Sequence, residues 1–213
     1  MSTSSPAGTD RSPLVLASAS PARLTTLRQA GLHPRVLVSG VDESVVDTTD
    51  PAELSARLAV LKARAVAERL TGQPDGARWV VGCDSVLELD GEPLGKPSGP
   101  DDARARWRRM CGRSGVLHSG HCLVSLDPGA EVVRRVATTV HFASLDEAEI
   151  EAYVATGEPL AVAGAFTVDG LGGAFVRGIE GDHHNVVGIS LPLLREMLAE
   201  VGIHWTSLWS AQD

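Results

Sequence analysis

The chain has 213 residues and a formal net charge of −8 at pH 7, and 43% of its residues are hydrophobic. This length and composition suit one soluble globular domain, or two lobes that share one sheet and a substantial core. The negative charge and an aromatic content of 4% exclude the usual surface of a protein that coats a nucleic acid polymer. A small polyanion can still bind where cations cluster locally or a divalent metal accompanies it.

Cysteine usage and the N-terminal residues bear on the location of the protein. Cys83, Cys111 and Cys122 are odd in number and have no Cys-x-x-Cys spacing, so we interpret them as reduced thiols rather than disulfides or zinc ligands. The first 13 residues are polar and lack the apolar core of a signal peptide. We therefore expect a disordered tail over residues 1–13, one domain over residues 14–213, no membrane segment and a cytoplasmic protein.

The first predicted strand, residues 14–17, runs into the sequence SASP at residues 18–21 and then a helix. Ser20 suits the helix cap, and the proline after it suits the first helical position. This arrangement aims backbone N–H groups and hydroxyls at one point, which suits a phosphate. Arg23 opposes the helix dipole, and a bound anion would compensate for it. The alternative is an ordinary capped helix whose Arg23 points into solvent.

A second strand, residues 35–39, precedes an acidic loop that contains Glu43. A long helix then begins at Asp50 and ends near Leu70. Lys62 stands at the edge of the apolar stripe of this helix, where it either extends to solvent or leans over a site beside the sheet. Four residues form that predicted stripe: Leu54, Leu58, Leu61 and Ala65.

Residues 79–97, with the sequence WVVGCDSVLELDGEPLGKP, form the segment around which the rest is arranged. Its first half is apolar on both faces, which is typical of a central strand in a covered sheet. Asp84 lies within that strand, where a carboxylate must replace its lost hydration with a cation, a metal or several donors. A hairpin turn at residues 90–91 then returns Lys96 toward Asp84.

The distribution of cations supports a site at Asp84. Of the 19 lysines and arginines, Lys62 and Lys96 alone are lysines. Lysine, whose ammonium is a compact point charge, is therefore used at two positions where the planar guanidinium of arginine would not serve. The alternative is an aspartate at a strand end whose hydrogen bonds are satisfied locally, together with a surface lysine that has no functional role.

The second half of the chain alternates helices with strands, so the sequence predicts an α/β fold with a mixed sheet. We interpret the arginine-rich face at residues 104–109 as solvated or partner-facing. His183 and His184, as neighbours on a strand, would face opposite ways and share no metal. The predicted elements are a helix over 100–110, strands over 116–125 and 131–142 joined by a turn at 127–129, a helix opened by a capping box at 144–147, a glycine-rich loop at 169–173, a strand over 175–179 and a helix over 190–201.

Several short motifs follow one another along residues 14–198, and each alone is unspecific. They are SASP at 18–21 with Arg23, Glu43, Lys62, GCDSV at 82–86, LGKP at 94–97, GEP at 157–159, AGAF at 163–166 and NVVG at 185–188. As an ordered set they resemble the Maf family of nucleoside triphosphate pyrophosphatases.

The resemblance implies a house-cleaning hydrolase that acts on acid anhydrides and cuts a nucleoside triphosphate into a monophosphate and pyrophosphate. It implies a twisted mixed sheet with flanking helices, in an elongated two-lobed body with a cleft similar to the inosine triphosphatase fold, and a possible homodimer. It also implies a divalent metal, Mg²⁺ or Mn²⁺, held by Asp84 and Glu43.

By the same resemblance, Asp84 is the proton acceptor for the attacking water. Fixed positive charge around a triphosphate suits the reaction, because phosphoryl transfer depends on positioning and charge neutralisation. The predicted catalytic residues are Asp84, Lys62, Lys96 and Glu43. The predicted substrate-binding residues are Ser18, Ser20, Arg23, Ala22, Ser85, Asp169 and Glu158.

Three positions bear on the nucleobase. The branch of the family that acts on dTTP and UTP has Arg, Thr and Gln at the positions of Ala22, Ser85 and Asp169, and the methylated-GTP branch has Tyr at the first. This chain fits neither branch fully, but the hydroxyl of Ser85 slightly favours the pyrimidine nucleotides. Gly115 and Val162 replace a usual His and a usual Lys.

Two other functions compete with the pyrophosphatase. The family name is linked to septum formation, so one alternative is a nucleotide-binding regulator without significant turnover that docks through the arginine-rich face. The other is an unspecific phosphatase. The three functions differ in their product: the pyrophosphatase releases pyrophosphate, the unspecific phosphatase releases orthophosphate, and the regulator releases neither.

Overall fold

The computed structural model describes residues 12–73 and 76–209. Residues 1–11 of the predicted tail lie outside these ranges. The described residues form a mixed α/β fold, as predicted, with one seven-stranded sheet. Its strands are β1 (Leu14–Leu16), β2 (Arg35–Val36), β3 (Trp79–Leu89), β4 (Glu92–Leu94), β5 (Ser114–Leu126), β6 (Gly129–Phe142) and β7 (Val176–Glu180). The helices are α1 (Pro21–Gln29), α2 (Pro51–Leu70), α3 (Pro100–Met110), α4 (Glu147–Ala155), α5 (His183–Val187) and α6 (Leu191–Glu200).

The sheet has the strand order β2-β1-β3-β5-β6-β7, and β4 pairs with β3 outside this path. Strand β1 is parallel to β2 and β3, whereas the pairs β3–β4, β3–β5, β5–β6 and β6–β7 are antiparallel. The prediction that β3 is a central strand is confirmed. Val80 and Val81, which point to opposite faces of β3, are both fully buried.

Helix α2 lies unusually close to the sheet. A Cβ atom at Gly82 of β3 would lie 2.3 Å from the Ala59 carbonyl oxygen, and one at Gly120 of β5 would lie 2.3 Å from the Ser55 carbonyl oxygen. Neither contact is physically possible, so both positions require glycine. The close approach brings Lys62 onto the sheet.

The predicted apolar stripe of α2 is therefore partly wrong. Leu54, Leu61 and Ala65 are only partly buried, and Lys62 lies within the buried face rather than at its edge. The close approach favours small side chains over leucines at the centre of that face. The buried residues of the helix are Pro51, Ser55, Leu58, Ala59, Lys62, Ala63, Val66, Ala67 and Leu70.

Two predicted element boundaries also differ. Strand β2 ends at Val36 instead of residue 39, because after one further hydrogen bond, from the Leu37 N–H to the Leu16 carbonyl, the chain turns away to line a cavity. The capping box of α4 is formed by Asp146 and Glu149, which exchange hydrogen bonds of 2.9 and 3.0 Å, and not by residues 144–147. The capping-box spacing of Ser144 and Glu147 recurs two residues later in Asp146 and Glu149, and these two form the box.

His183 and His184 lie in the short helix α5, not on a strand, because the Asp182 carboxylate caps the His184 N–H at 2.9 Å and starts a helical turn. Within residues 12–73 and 76–209, no group of three or more His, Cys, Asp or Glu side chains is arranged to hold a metal ion. No helix in the same ranges is long and apolar enough to cross a membrane.

The hydrophobic core consists of three clusters. One contains Leu14, Leu27 and Leu194 and lies under α1 and α6, and another contains Val15, Ala63 and Val80 and lies under α2. The third lies at the other end of β3, where aromatic rings meet edge to face, as Trp107 and Phe142 do with 5.8 Å between ring centroids. The first two clusters cover the sheet at the residues just before Asp84.

The arginine-rich face of α3 carries ion pairs to other residues of this chain. Each of its four arginines pairs with a carboxylate of this chain. The pairs are Arg104–Glu151, Arg106–Asp102, Arg108–Glu147 and Arg109–Glu92. Arg104 and Arg108 join α3 to α4, and Arg109 joins it to the β3–β4 hairpin. Arg108 and Arg109 are nevertheless exposed, as expected of a solvated face, and a docking role for this face stays a prediction.

Candidate active site

A cavity of about 690 Å³ opens beside the end of β1, the middle of β3 and α2. Its wall includes the start of α1, the loop at residues 38–43 and the segment at residues 161–169. The structure thus brings most of the predicted site residues together. Those that line the cavity are Ser18, Ser20, Ala22, Arg23, Glu43, Lys62, Asp84, Ser85, Lys96 and Asp169.

Lys62 links two carboxylates at the cavity wall. Its ammonium lies 2.8 Å from Glu43 Oε1 and also contacts Asp84 Oδ1. The side chains of Lys62 and Asp84 are 11% and 13% exposed, whereas Glu43 is 54% exposed. The snorkelling alternative for Lys62 is therefore excluded. Because a buried carboxylate needs a compensating cation, the Lys62 ammonium balances the negative charge that Asp84 and Glu43 bring to the cavity wall.

Arg23 forms a clamp beneath the start of α1. Its Nε donates to the Gly188 carbonyl at 2.8 Å, and Nη1 donates to the Cys83 carbonyl at 2.7 Å and to Ser18 Oγ at 3.0 Å. Nη2 donates to Ser85 Oγ at 3.2 Å. Arg23 is only 9% exposed, so the alternative in which it points into solvent is excluded. The guanidinium places positive charge directly behind the serine turn.

The serine turn itself is ordered by local hydrogen bonds. Ser20 Oγ accepts from the Arg23 N–H at 3.4 Å, as predicted for a helix cap, and the Ser20 N–H donates to Ser18 Oγ at 3.2 Å. Together with the N-terminus of α1, the turn presents a positive helix end to the cavity.

Lys96 contributes a second lysine to the cavity wall. It is exposed, and its ammonium has no ion-pair partner in the described part of the chain. Arg106 holds the loop that carries it, by donating to the Gly95 carbonyl and, at 3.5 Å, to the Lys96 carbonyl, while both carboxylate oxygens of Asp102 fix the guanidinium at 2.9 Å. Arg106 thus holds the loop in place, and the Lys96 ammonium that the loop carries is available to a phosphate.

Comparison with known proteins identifies the family. The sequence model described as Maf-like protein matches residues 13–201. The chain belongs to the Maf family. The resemblance predicted from the ordered motifs is therefore confirmed.

The Maf chain is 60% identical over 197 residues to the nucleoside triphosphate pyrophosphatase of Salinispora tropica, covering 92% of this chain and 87% of the relative. It is 54% identical over 200 residues to the protein of the same name from Streptomyces coelicolor, covering 94% and 96%. A Mycobacterium sp. relative, also so named, is 48% identical over 205 residues, covering 92% and 98%. The solved Staphylococcus aureus Ham1 protein aligns with a TM-score of 0.41 at 18% identity, over 61% of this chain and 71% of that one.

Asp84 and Glu43 of this Maf chain fit a metal that arrives with a triphosphate. They already share one cation, the Lys62 ammonium, and Mg²⁺ in such sites is held by one or two carboxylates while phosphates and waters supply the remaining ligands. Two carboxylates and no third acidic, histidine or cysteine ligand in the described residues therefore suit a substrate-borne ion rather than an all-protein cage.

Glu158 is the one predicted site residue that does not line the cavity. Its carboxylate lies behind the wall segment that carries Asp169, where it accepts hydrogen bonds from that segment.

The sequence analysis missed a buried polar row beneath the cavity. Ser119 is fully buried, pairs in register with Ser85 on the neighbouring strand and lies 2.8 Å from it, Oγ to Oγ. His121, also fully buried, accepts from the Ser190 N–H at 3.0 Å. Burial lowers the pKa of His121 to about 4, with a smaller contribution from nearby Arg23. Only the β3–β5 register, which no local pattern encodes, could have revealed these partners.

Cys83 belongs to the same row. Its thiol donates to the Gly188 carbonyl at 3.3 Å, and its Sγ lies 3.6 Å from His121 Nε2. Burial raises the pKa of this thiol, so it serves as a neutral structural donor rather than a nucleophile.

Proposed function

We propose that this Maf chain hydrolyses nucleoside and deoxynucleoside triphosphates to monophosphates and pyrophosphate. The observation that carries the proposal is the Lys62 ammonium, which joins Glu43 and Asp84 at the wall of a cavity that the serine turn and Lys96 also line. The curated relatives reported above bear the name of this activity.

Asp84 is the general base in this proposal. Its Oδ1 is engaged by Lys62, and Oδ2 has no hydrogen-bond partner among residues 12–73 and 76–209. Oδ2 therefore accepts the proton of the attacking water as the water oxygen bonds to phosphorus. The bridging oxygen departs with the pyrophosphate, and the proton remains on Asp84 until it exchanges with solvent.

The cations of the cavity stabilise the charge that moves to the leaving group. Lys62 keeps Asp84 oriented, while Lys96 is free to contact the phosphates, and the start of α1 adds its backbone dipole. Bound Mg²⁺ or Mn²⁺, held by Asp84 and Glu43, would neutralise phosphate charge and lower the pKa of water.

For the nucleobase we propose that pyrimidine triphosphates of the dTTP and UTP type are favoured. Ser85 keeps a hydroxyl at the cavity wall, where Arg23 and Ser119 orient it. Ala22 and Asp169 line the same cavity. Ala22 lacks the bulk of the Tyr that the methylated-GTP branch has at its position.

Product analysis tests the reaction. The purified chain is incubated with standard and base-modified triphosphates and Mg²⁺ or Mn²⁺, and pyrophosphate, monophosphate and orthophosphate are quantified. We expect equal amounts of monophosphate and pyrophosphate, with dTTP and UTP turned over fastest. Orthophosphate as the first product would favour the unspecific phosphatase, and tight binding without product would favour the regulator.

Asp84→Asn tests the assignment of the base. Loss of a general base lowers kcat by ~10²–10⁴-fold, and the matched control Asp101→Asn, on the exposed first turn of α3, leaves it unchanged. Full activity of Asp84→Asn would remove Asp84 from the mechanism.

Lys62→Met tests the cation between the carboxylates. We expect kcat to fall by ~10²–10³-fold, the effect of removing one preorganised charge from a reaction centre. Lys62→Arg should not restore it, because a planar fork cannot replace a point charge held between two carboxylates. Wild-type turnover by Lys62→Met would contradict the proposed role.

A further inference from the structure

Glu158 lies directly behind one wall of the cavity. It follows α4 and begins the 3-10 turn Glu158–Ala161. The neighbouring wall segment, residues 167–173, brings Thr167 and Asp169 to the cavity, whereas Glu158 itself is absent from the lining. Any effect of this carboxylate on a bound molecule therefore passes through the segment.

Four donors converge on the Glu158 carboxylate. Oε1 accepts from the Gly172 N–H at 3.0 Å, from the Tyr153 hydroxyl at 3.1 Å and from the Thr167 hydroxyl. Oε2 accepts from the Leu171 N–H at 3.0 Å. Burial alone would raise the pKa of Glu158, but these hydrogen bonds outweigh it and hold the pKa below its usual range. The group is thus an ionised acceptor whose capacity is nearly filled.

The glycines of the segment allow this convergence. A Cβ atom at Gly170 would lie 2.6 Å from Glu158 Oε2, and one at Gly172 would lie 2.3 Å from the Tyr153 hydroxyl oxygen. The glycine-rich loop is thus built to close onto the carboxylate and is not a mere connector.

Tyr153 ties the carboxylate to the core. Its ring centroid lies 5.5 Å from that of Trp107 and 5.3 Å from that of Phe175. Its hydroxyl also accepts from the Thr167 N–H at 3.2 Å. Tyr153 thus connects the buried aromatic cluster both to Thr167 directly and, through Glu158, to Leu171 and Gly172.

We propose that Glu158 is a positioning residue, which fixes the wall segment 167–173 and so sets how Thr167 and Asp169 meet the substrate, rather than a residue that contacts the substrate. This inference rests on the proposed function in one respect, namely that the cavity holds a nucleotide. Because the Lys62–Asp84 pair does not depend on Glu158, loss of the carboxylate should weaken binding while the chemical step continues.

Two measurements on the full chain test this, one of them independent of activity. Amide hydrogen exchange at Leu171 and Gly172 is compared in the wild type, Glu158→Ala and Glu158→Gln, together with kcat and KM for pyrophosphate release. In Glu158→Ala we expect exchange at both amides to accelerate about tenfold and KM to rise about tenfold, the factor for one lost hydrogen bond to a charged group, with kcat nearly unchanged. Glu158→Gln, which keeps an acceptor oxygen, should recover part of both effects.

Glu147→Ala is the matched control, since Glu147 lies on α4, the helix that precedes Glu158, but pairs with Arg108 at the surface, and it should behave as wild type. Unchanged exchange at Leu171 and Gly172 in Glu158→Ala, or a collapse of kcat at constant KM, would overturn the proposal. If Glu158→Ala does not fold, Tyr153→Phe removes one donor, keeps the ring and decides by the same readouts. A wild type that releases no pyrophosphate would refute the proposed function, while the exchange data would still decide the role of Glu158.

Discussion

Asp84 of β3 and Gly120 of β5 are directly paired across the antiparallel strands. The missing side chain of Gly120 lets the backbone of α2 occupy the space where a Cβ atom would lie, 2.3 Å from the Ser55 carbonyl oxygen. Helix α2 can then bring Lys62 into contact with Asp84. The geometry of the charged pair thus depends on a residue that carries no functional group.

Gly120→Ala should damage both the fold and the site. The new methyl group meets backbone atoms of Ser55 and Ala56, which cannot rotate away, so α2 must shift outward. We expect the free energy of unfolding to fall by about 3 kcal/mol, the upper range for overpacking. Because Lys62 moves with the helix, kcat should fall as well. Denaturant unfolding and pyrophosphate release measure the two effects.

Gly129→Ala is the matched control. Gly129 also lies in the sheet, but a Cβ atom there meets nothing within 4 Å, so stability and activity should stay close to wild type. Wild-type stability of Gly120→Ala would show that α2 does not need this close approach.

The arginine-rich face of α3 gives a second pair of variants with opposite expectations. Arg106→Ala removes the donors to the Gly95 and Lys96 carbonyls, so the loop that carries Lys96 loses its support. We expect KM for the triphosphate to rise about tenfold, the factor for losing a hydrogen bond from a charged group, with a smaller change in kcat. Steady-state kinetics measures both constants.

Arg108→Ala serves as its control. Arg108 pairs with Glu147 where both side chains are at least half exposed, and such pairs contribute little to stability. Kinetics and stability should stay close to wild type. Equal effects of the two variants would mean that α3 acts through its overall charge and not through the Lys96 loop.

The sequence predicted the parts of the site that local patterns encode. The doubly apolar strand around Asp84, the capped serine turn and the hairpin that returns Lys96 all follow from residues close together in the chain. These elements form as predicted, and their side chains meet in one cavity.

The missed features depend on pairing between distant segments. The contacts of Ser119 with Ser85 and of Gly120 with α2 follow from the β3–β5 register, and the ion pairs of Arg104 and Arg108 follow from the docking of α3 on α4. The stripe predicted for α2 was partly wrong for a related reason. Leucine spacing indicates burial in general, but small residues mark the face where a helix approaches a sheet most closely.

Buried His121 makes stability depend on pH. Its pKa, ordinarily 6.5, is about 4 in the folded chain because burial opposes the charged form and Arg23 adds repulsion. Between pH 6.5 and 4 the unfolded chain thus binds a proton that the folded chain excludes, and stability falls as pH falls through this window. The full contribution, present above pH 6.5, is about 3 kcal/mol. Denaturant unfolding at several pH values from 7 to 4 measures it.

His121→Gln should remove most of this dependence on pH, whereas His33→Gln, at an exposed position, should leave it intact. The geometry independently supports a loss of stability at low pH, because His121 Nε2 accepts the N–H of Ser190, the cap of α6. Protonation of Nε2 would remove this acceptor and place a cation near Arg23, so acid should loosen the start of α6. An unfolding free energy that is constant between pH 7 and 4.5 would show that His121 is not held neutral by its surroundings.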